Sequence, residues 1–228
     1  MKQIVALLPM KGHSERVPNK NMKAFCGKPL YHAVLNALLG SKYIEKVVID
    51  TDSEVISNDA LKHFGDSVEI IDRPKEIRGG DVSMNLIIDH DISILTQYDH
   101  FIQTHSTNPL LRSETIDGAI EYYFSNLEKF DSLFSVTKVQ TRFYDRDAKP
   151  VNHDPKELIR TQDLEPLYEE NSNFYIFSRN SFLGAGARRI GSNPYIYEVN
   201  KLEAVDIDEP EDFVMAELLC KHYFGVMR

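Results

Sequence analysis

The chain of 228 residues is long enough for one domain with a substantial core, and its 42% hydrophobic and 27% charged content is that of an ordinary soluble globular protein. A net charge of -9 argues against nucleic-acid binding, whose affinity rests on neutralising phosphates, so any anion must be met by basic residues gathered locally. The apolar run from Ile4 is too short for a signal peptide or a membrane span, and Cys26 and Cys220, far apart in the chain, suggest neither a disulfide framework nor a zinc site; the expected setting is the cytoplasm.

Ile4-Val5-Ala6-Leu7-Leu8 has the unbroken apolar pattern of a strand buried on both faces. It breaks into a loop, residues 9–21, that carries Lys11, Arg16 and Lys20 with one glycine and a serine. Ligands of open α/β sheets bind at the carboxyl ends of the strands, and backbone N–H groups with lysines suit a polyphosphate. Pro29 opens a helix with Leu30, Val34, Leu35 and Leu38 at helical spacing, stopped near Gly40. Residues 46–50 read as a second strand, Ser53 as the cap of a helix that Gly65 ends, and residues 68–71 as a third strand. The alternation predicts a parallel doubly wound sheet.

Residues 72–81 form another loop at a strand's carboxyl end, leading into a helix over 83–96. A fourth strand, 100–103, runs into a polar loop, 104–111, and a helix opens at Ser113. After a fifth strand at 132–137, residues 138–171 lose apolar periodicity, an irregular insertion too long to lack a purpose in a compact domain. Strand character returns at 171–177, and 181–189 suggest a short helix or turn. Gly184-Ala185-Gly186 is no dinucleotide fingerprint, because its third glycine would fall on Arg189. A late strand, 195–199, precedes a last amphipathic helix through Phe213, Met215 and Leu218.

Asp206 and Asp208 stand two apart on an extended stretch, so their side chains project to one side. Converging carboxylates repel each other unless a cation lies between them, and oxygen ligands suit magnesium. In the other reading Asp208 caps the final helix, with Glu211 three residues on.

The run Leu8-Pro9-Met10-Lys11-Gly12-His13-Ser14-Glu15-Arg16-Val17-Pro18-Asn19-Lys20-Asn21 resembles the signature loop of the acylneuraminate cytidylyltransferase family, with Lys11 where that family usually has Arg. Four further segments are similar to motifs of the same family in the same order: Arg73-Pro74 with its downstream Asp81, residues 104–111 with His105 in the place of a usual Gln, Asn171 at the head of a strand, and Asp206-Ile207-Asp208 before an acidic helix start. The resemblance implies a three-layer α/β/α Rossmann-like nucleotidyltransferase (GT-A-like) fold over residues 1–228, with a mostly parallel sheet. Residues 138–171 would then be an inserted dimerisation or lid arm that closes the partner's sugar site in a homodimer.

It further implies transfer of CMP from CTP to a sialic-acid-like sugar acid, with release of pyrophosphate. Leu8, Met10, Lys11, Gly12, Ser14, Arg16, Lys20 and Asn21 would bind the nucleotide together with Arg73 and Asn85. His105, Thr107, Asn108 and Asn171 would bind the acceptor, Asp206 and Asp208 would hold Mg²⁺, and Lys11, Lys20 and Asp208 would be catalytic. Arg73 could instead form a surface ion pair, and Asn85 could be an exposed helix residue. Glu169-Glu170 precede Asn171 where sialate-type members place Arg-Pro, so a substrate carboxylate needs another partner, for which Arg142, Arg160 or a residue of a second chain are the candidates. A nucleotidyltransferase for a sugar or polyol phosphate, a metal-dependent glycosyltransferase using the Asp206–Asp208 pair, and a non-catalytic nucleotide-binding protein are the other readings.

Overall fold

The structure is a computed structural model that describes residues 4–223. Its centre is β1 (Ile4–Leu7), buried along its whole length. β4 (Ile44–Thr51) and β6 (His100–Thr104) flank it in parallel, with Ala6 level with Val47 on one side and Ile102 on the other. Adding β5 (Val68–Asp72), β7 (Ser132–Val139), β8 (Leu167–Ser178) and β9 (Pro194–Glu198) gives a seven-stranded sheet in the order β5-β4-β1-β6-β8-β7-β9. Only β8 runs against its neighbours. The mostly parallel sheet matches the sequence reading.

Alternation along β1 assigns its side chains to two layers. Ala6 and Leu8 join Val34 and Leu38 of α1 (Tyr31–Leu39) and Ile116 and Ile120 of α4 (Ser113–Ser125) on one face. Val5 and Leu7 join Ile88 and Ile92 of α3 (Met84–Ile94) and Phe182 of α5 (Arg179–Gly184) on the other. Each such side chain contributes about 1.5–3 kcal/mol on burial, which makes this three-layer α/β/α packing the main source of stability. α2 (Glu54–Phe64) starts where the sequence placed its cap: Ser53 Oγ accepts from the Ile56 N–H at 3.4 Å.

A third apolar cluster positions the site. Val17 of the first loop, Phe25 and Cys26 of the small hairpin β2 (Ala24–Phe25) and β3 (Lys28–Pro29), Ile207, and Phe213, Ala216 and Cys220 of α6 (Pro210–Tyr223) pack together. Cys26 (φ 48) and Gly27 (φ 90) both take the positive φ that a tight two-residue hairpin turn requires. Cys26 and Cys220, distant in the chain, are therefore neighbours in space, both free, and burial beside Cys26 pushes the Cys220 thiol up to about 12.

The boundaries of the insertion differ from the sequence reading. β7 continues to Val139 and β8 begins at Leu167, with Thr137 opposite Glu169 and Val139 opposite Leu167, so the irregular part is 140–166. Charge along 167–170 hid a strand because its burial is slight: these residues are exposed on a two-stranded extension of the sheet. Among the described residues no helix is long and apolar enough to cross a membrane.

Candidate active site

The first loop leaves β1 along the edge of β4. The Met10 N–H donates to Asp50 O at 2.8 Å and the Gly12 N–H to Asp52 Oδ1 at 2.7 Å. Beneath it, Arg73 is buried in an ion pair with Asp50, and its Nη2 donates to Met10 O at 3.4 Å. Arg73 thus borders the cleft but is spent on holding the loop to the sheet. The ion pair considered in the sequence exists, at the core and not on the surface.

Asn21 fastens the other end of the loop. Its Nδ2 donates to Lys11 O at 3.0 Å, and its Oδ1 accepts from Ser106 Oγ at 2.7 Å, which ties this loop to the one after β6. That second loop in turn carries the aspartates: the Ile207 N–H donates to Thr107 O at 2.9 Å, and Asp206 accepts from the Thr107 side chain. With Val17 and Ile207 in one apolar cluster, the basic and acidic segments have no freedom to part.

They meet across a cleft open to solvent, bordered by Lys11, Ser14, Arg16, Lys20, Asp206 and Asp208. Arg16 bonds Asp208 at 2.7 Å and Glu209 at 3.0 Å. Lys20 Nζ donates to Ile207 O at 2.5 Å and lies 3.8 Å from Asp208 Oδ1. Burial lowers the Lys20 pKa, against the pull of Asp208 and Asp206. Burial also raises the Asp206 pKa, and Asp206 Oδ1 is buried with no hydrogen-bond partner. The Asp208 carboxylate is bonded by Arg16, while Asp212 in the first turn of α6 reaches back to accept from the Asp208 and Glu209 N–H groups at 3.1 and 2.8 Å.

Met10, His105 and Thr107 also border the cleft. Five residues expected in the site do not. Leu8 is a core residue, its N–H bonded to Val48 O, because β1 is buried on both faces. Gly12 faces away, with Ser53 so near that a Cβ would come within 2.8 Å of it. Asn108 is fully buried. Asn171 stitches a bulge in the β7–β8 pair, with Nδ2 donating to Thr137 Oγ1 at 3.0 Å; Ser172, at φ 58, presents itself to the cleft instead. Asn85 borders an adjoining depression with Glu170, Arg188 and Arg189, and accepts from the Arg189 N–H at 3.3 Å. Arg142 and Arg160 are both engaged inside the arm, with Ile159 O and Asp163.

Sequence reasoning missed Ser106, Ser172 and the group around His105. Arg189 lies 3.7 Å from the Tyr175 ring centroid, and its Nη1 donates to Gln103 Oε1 at 2.7 Å and approaches His105 Nε2 at 3.2 Å. Burial, with Arg189 and Lys20 adding, lowers the His105 pKa to about 4, so the ring is neutral and accepts on Nε2. Ser106 stood in a quoted loop; Arg189 carried no signal, since the contact joins distant segments.

A doubly wound sheet with a basic loop at the carboxyl end of its first strand, facing a carboxylate pair across one cleft, defines an α/β nucleotidyltransferase. The family described as cytidylyltransferase matches residues 5–224, and the chain belongs to it. It is 29% identical to the pseudaminic acid cytidylyltransferase of Campylobacter jejuni, over 95% of this chain and 96% of that protein. It is 27% identical to the N-acylneuraminate cytidylyltransferase of Escherichia coli over 94% of this chain, which spans 51% of that longer protein. Among solved structures, CMP:2-keto-3-deoxy-manno-octonic acid synthetase complexed with CTP has the same fold, with a TM-score of 0.67 at 12% identity over 97% of this chain and 99% of that one. The 4-diphosphocytidyl-2C-methyl-D-erythritol synthase of Anaerococcus prevotii is similar at a TM-score of 0.65 and 14% identity, over 96% and 99%.

Proposed function

We propose that this chain transfers CMP from CTP to a sialic-acid-like sugar acid, nonulosonic or a related keto acid, and releases pyrophosphate. The observation that carries the reading is the approach of Arg16 and Lys20 to the Asp206–Asp208 segment across one cleft. Relatives whose names specify pseudaminic and N-acylneuraminic acid supply the class of acceptor.

The reaction is in-line attack of a sugar hydroxyl on the α-phosphorus, and it asks the protein mainly for positioning and charge neutralisation. Lys11, Ser14, Arg16 and Lys20 receive the triphosphate. Lys20, held by Ile207 O in a half-buried position, meets phosphate oxygens with little reorganisation. Arg16, paired with two exposed acids, is the mobile member and exchanges its carboxylates for phosphate. Asp206 and Asp208 suit Mg²⁺: the orphaned, buried Asp206 Oδ1 is a hard oxygen whose desolvation a cation would offset. Mg²⁺ bound there supplies neutralisation of phosphate charge and acidifies the attacking hydroxyl.

The arm at 140–166 exposes Tyr144, Val151, Leu158 and Ile159, an apolar set suited to a second copy of this chain, and we read the working form as a cytoplasmic homodimer. The test is pyrophosphate release with all four NTPs crossed against nonulosonic and octulosonic acids and sugar or polyol phosphates. Turnover with CTP and a keto sugar acid, lost in EDTA and restored by Mg²⁺, is the expected result. No pyrophosphate from CTP with any acid overturns the reading.

A further inference from the structure

We infer that Arg189 receives the carboxylate of the acceptor and so sets the enzyme's preference for an acid. The inference rests on the transfer reaction proposed above, and adds to it the group that selects the substrate's charged end.

Arg189 lies between α5 and β9, and the protein fixes it from three sides. Its own N–H donates to Asn85, its Nη1 to Gln103 Oε1, and its guanidinium stacks on Tyr175. A side chain held in this way loses little further entropy when it binds a ligand. Its charge is met only at longer range, by Glu170. Among the described residues no carboxylate lies within ion-pair distance of it, and Glu170, the acid in the same depression, already accepts from the Tyr175 hydroxyl. Burial lowers the Arg189 pKa, against the pull of Tyr175 and Glu170.

Nη1 is committed to Gln103 and His105, and among the described residues Nε and Nη2 have no protein acceptor. These two donors lie on one edge of the planar group and form the fork that matches a carboxylate bidentately. Arg189 borders a depression that adjoins the nucleotide cleft: Met84 borders the cleft and Asn85 the depression, while His105 borders the cleft and touches Arg189. An acceptor lying across that junction would place its carboxylate on Arg189 and its reacting hydroxyl toward the phosphates.

The arrangement answers the problem raised by Glu169 and Glu170. Arg142 and Arg160 are engaged within the arm, and Arg188 Nε donates to Ala185 O at 2.6 Å. Lys11 and Lys20 are among the residues assigned to the triphosphate. Arg188 borders the same depression, but Arg189 is the one fixed by Gln103 and stacked on Tyr175 beside His105 of the cleft.

The test compares a sugar-acid substrate with its carboxamide in wild type, Arg189→Met and Arg189→Lys, reading KM for acceptor and for CTP separately. Wild type is expected to prefer the acid by about tenfold or more, the loss that goes with a bidentate charge-assisted pair. Arg189→Met should erase that preference and raise acceptor KM at least as much, with CTP KM within about twofold, and Arg189→Lys should fall between, since it keeps the charge without the fork. A wild-type enzyme that takes acid and carboxamide equally overturns the assignment without any variant, so misfolding of the variants cannot shelter it. Normal acid preference in folded Arg189→Met also overturns it while leaving CMP transfer standing. Absence of turnover with every acid removes the transfer reaction itself, and the role of Arg189 with it.

Discussion

Arg16 and Asp208 are separated by 192 positions in sequence and by 2.7 Å in space. The ion pair is the visible end of a buried arrangement: Val17 and Ile207, the residues after and before them, share one apolar cluster with Phe25 and Phe213. Apolar packing brings the loop and the aspartates together, and the charges occupy the surface that packing leaves. Such half-exposed pairs contribute little to stability. In the proposed reaction they keep cation and anion ready for a ligand that brings both phosphate and metal.

Lys20→Ala and Asp208→Ala should therefore separate activity from stability. Lys20 is held at Ile207 O, where the proposed reaction has it meet phosphate charge, and Asp208 carries one of the two carboxylates proposed for Mg²⁺. Each substitution should lower kcat for pyrophosphate release by about a hundredfold or more, the usual consequence of removing a preorganised charge-stabilising group. The thermal midpoint of Asp208→Ala should hardly move. Turnover near the wild-type rate in either variant would remove that residue from the chemistry.

Arg73→Met should do the reverse. Arg73 and Asp50 are both buried, so losing the guanidinium leaves a carboxylate stranded in the core beside Asp91. Breaking a buried pair from one side costs about 3–5 kcal/mol, measurable as a fall in the urea unfolding free energy. Met10 O loses its donor as well, so CTP KM should rise while the acceptor KM stays nearly constant. A loss below about 1 kcal/mol would mean that the pair is solvated, contrary to its burial.

Gly12→Ala tests how closely the loop lies on the sheet. A Cβ at this position would come within 2.8 Å of Ser53 Cβ and 3.5 Å of Asp52 Oδ1, so the loop must lift or the start of α2 must shift. Overpacking of this kind costs about 1–3 kcal/mol. Because the displaced segment carries Lys11 and Ser14, CTP KM should rise too. An unchanged unfolding curve together with an unchanged CTP KM would show that the contact relaxes freely.

Much of this was legible in the sequence, and the reasons differ by element. The unbroken run from Ile4 and the alternation of strands and helices reflect burial on both faces of a parallel sheet, a pattern that survives without coordinates. Residues 167–170 were missed as strand because an exposed two-stranded extension buries too little to print an apolar rhythm. At the site, Lys20 and Asp208, which border the cleft from their own loops, could be picked out by local chemistry. Those defined by tertiary partners could not: Arg73 turned inward to Asp50, Asn171 turned to Thr137, and Arg189 came to Gln103 and His105 from a segment with no motif.

Asp91 on α3 gives a prediction for pH. Burial, the neighbouring Asp50 charge and a hydrogen bond to Asp50 raise its pKa well above the ordinary 3.8, against the opposing pull of Arg73; His90 Nδ1 lies 3.4 Å from Asp91 Oδ1 and 4.0 Å from Asp50 Oδ2. Above the ordinary carboxylate range the folded protein keeps a proton that the unfolded chain has released, so the folded state binds more protons and stability falls as pH rises. The contribution is fully present below the unfolded pKa and is lost as pH climbs toward the folded one. Asp91→Asn mimics the protonated group at every pH, and its stability should decline less over the same interval. Urea unfolding free energies of the two proteins, measured from about pH 5 to about pH 9, should diverge steadily in favour of the variant. Parallel profiles would mean that Asp91 is ionised at neutrality and that Arg73 serves both aspartates.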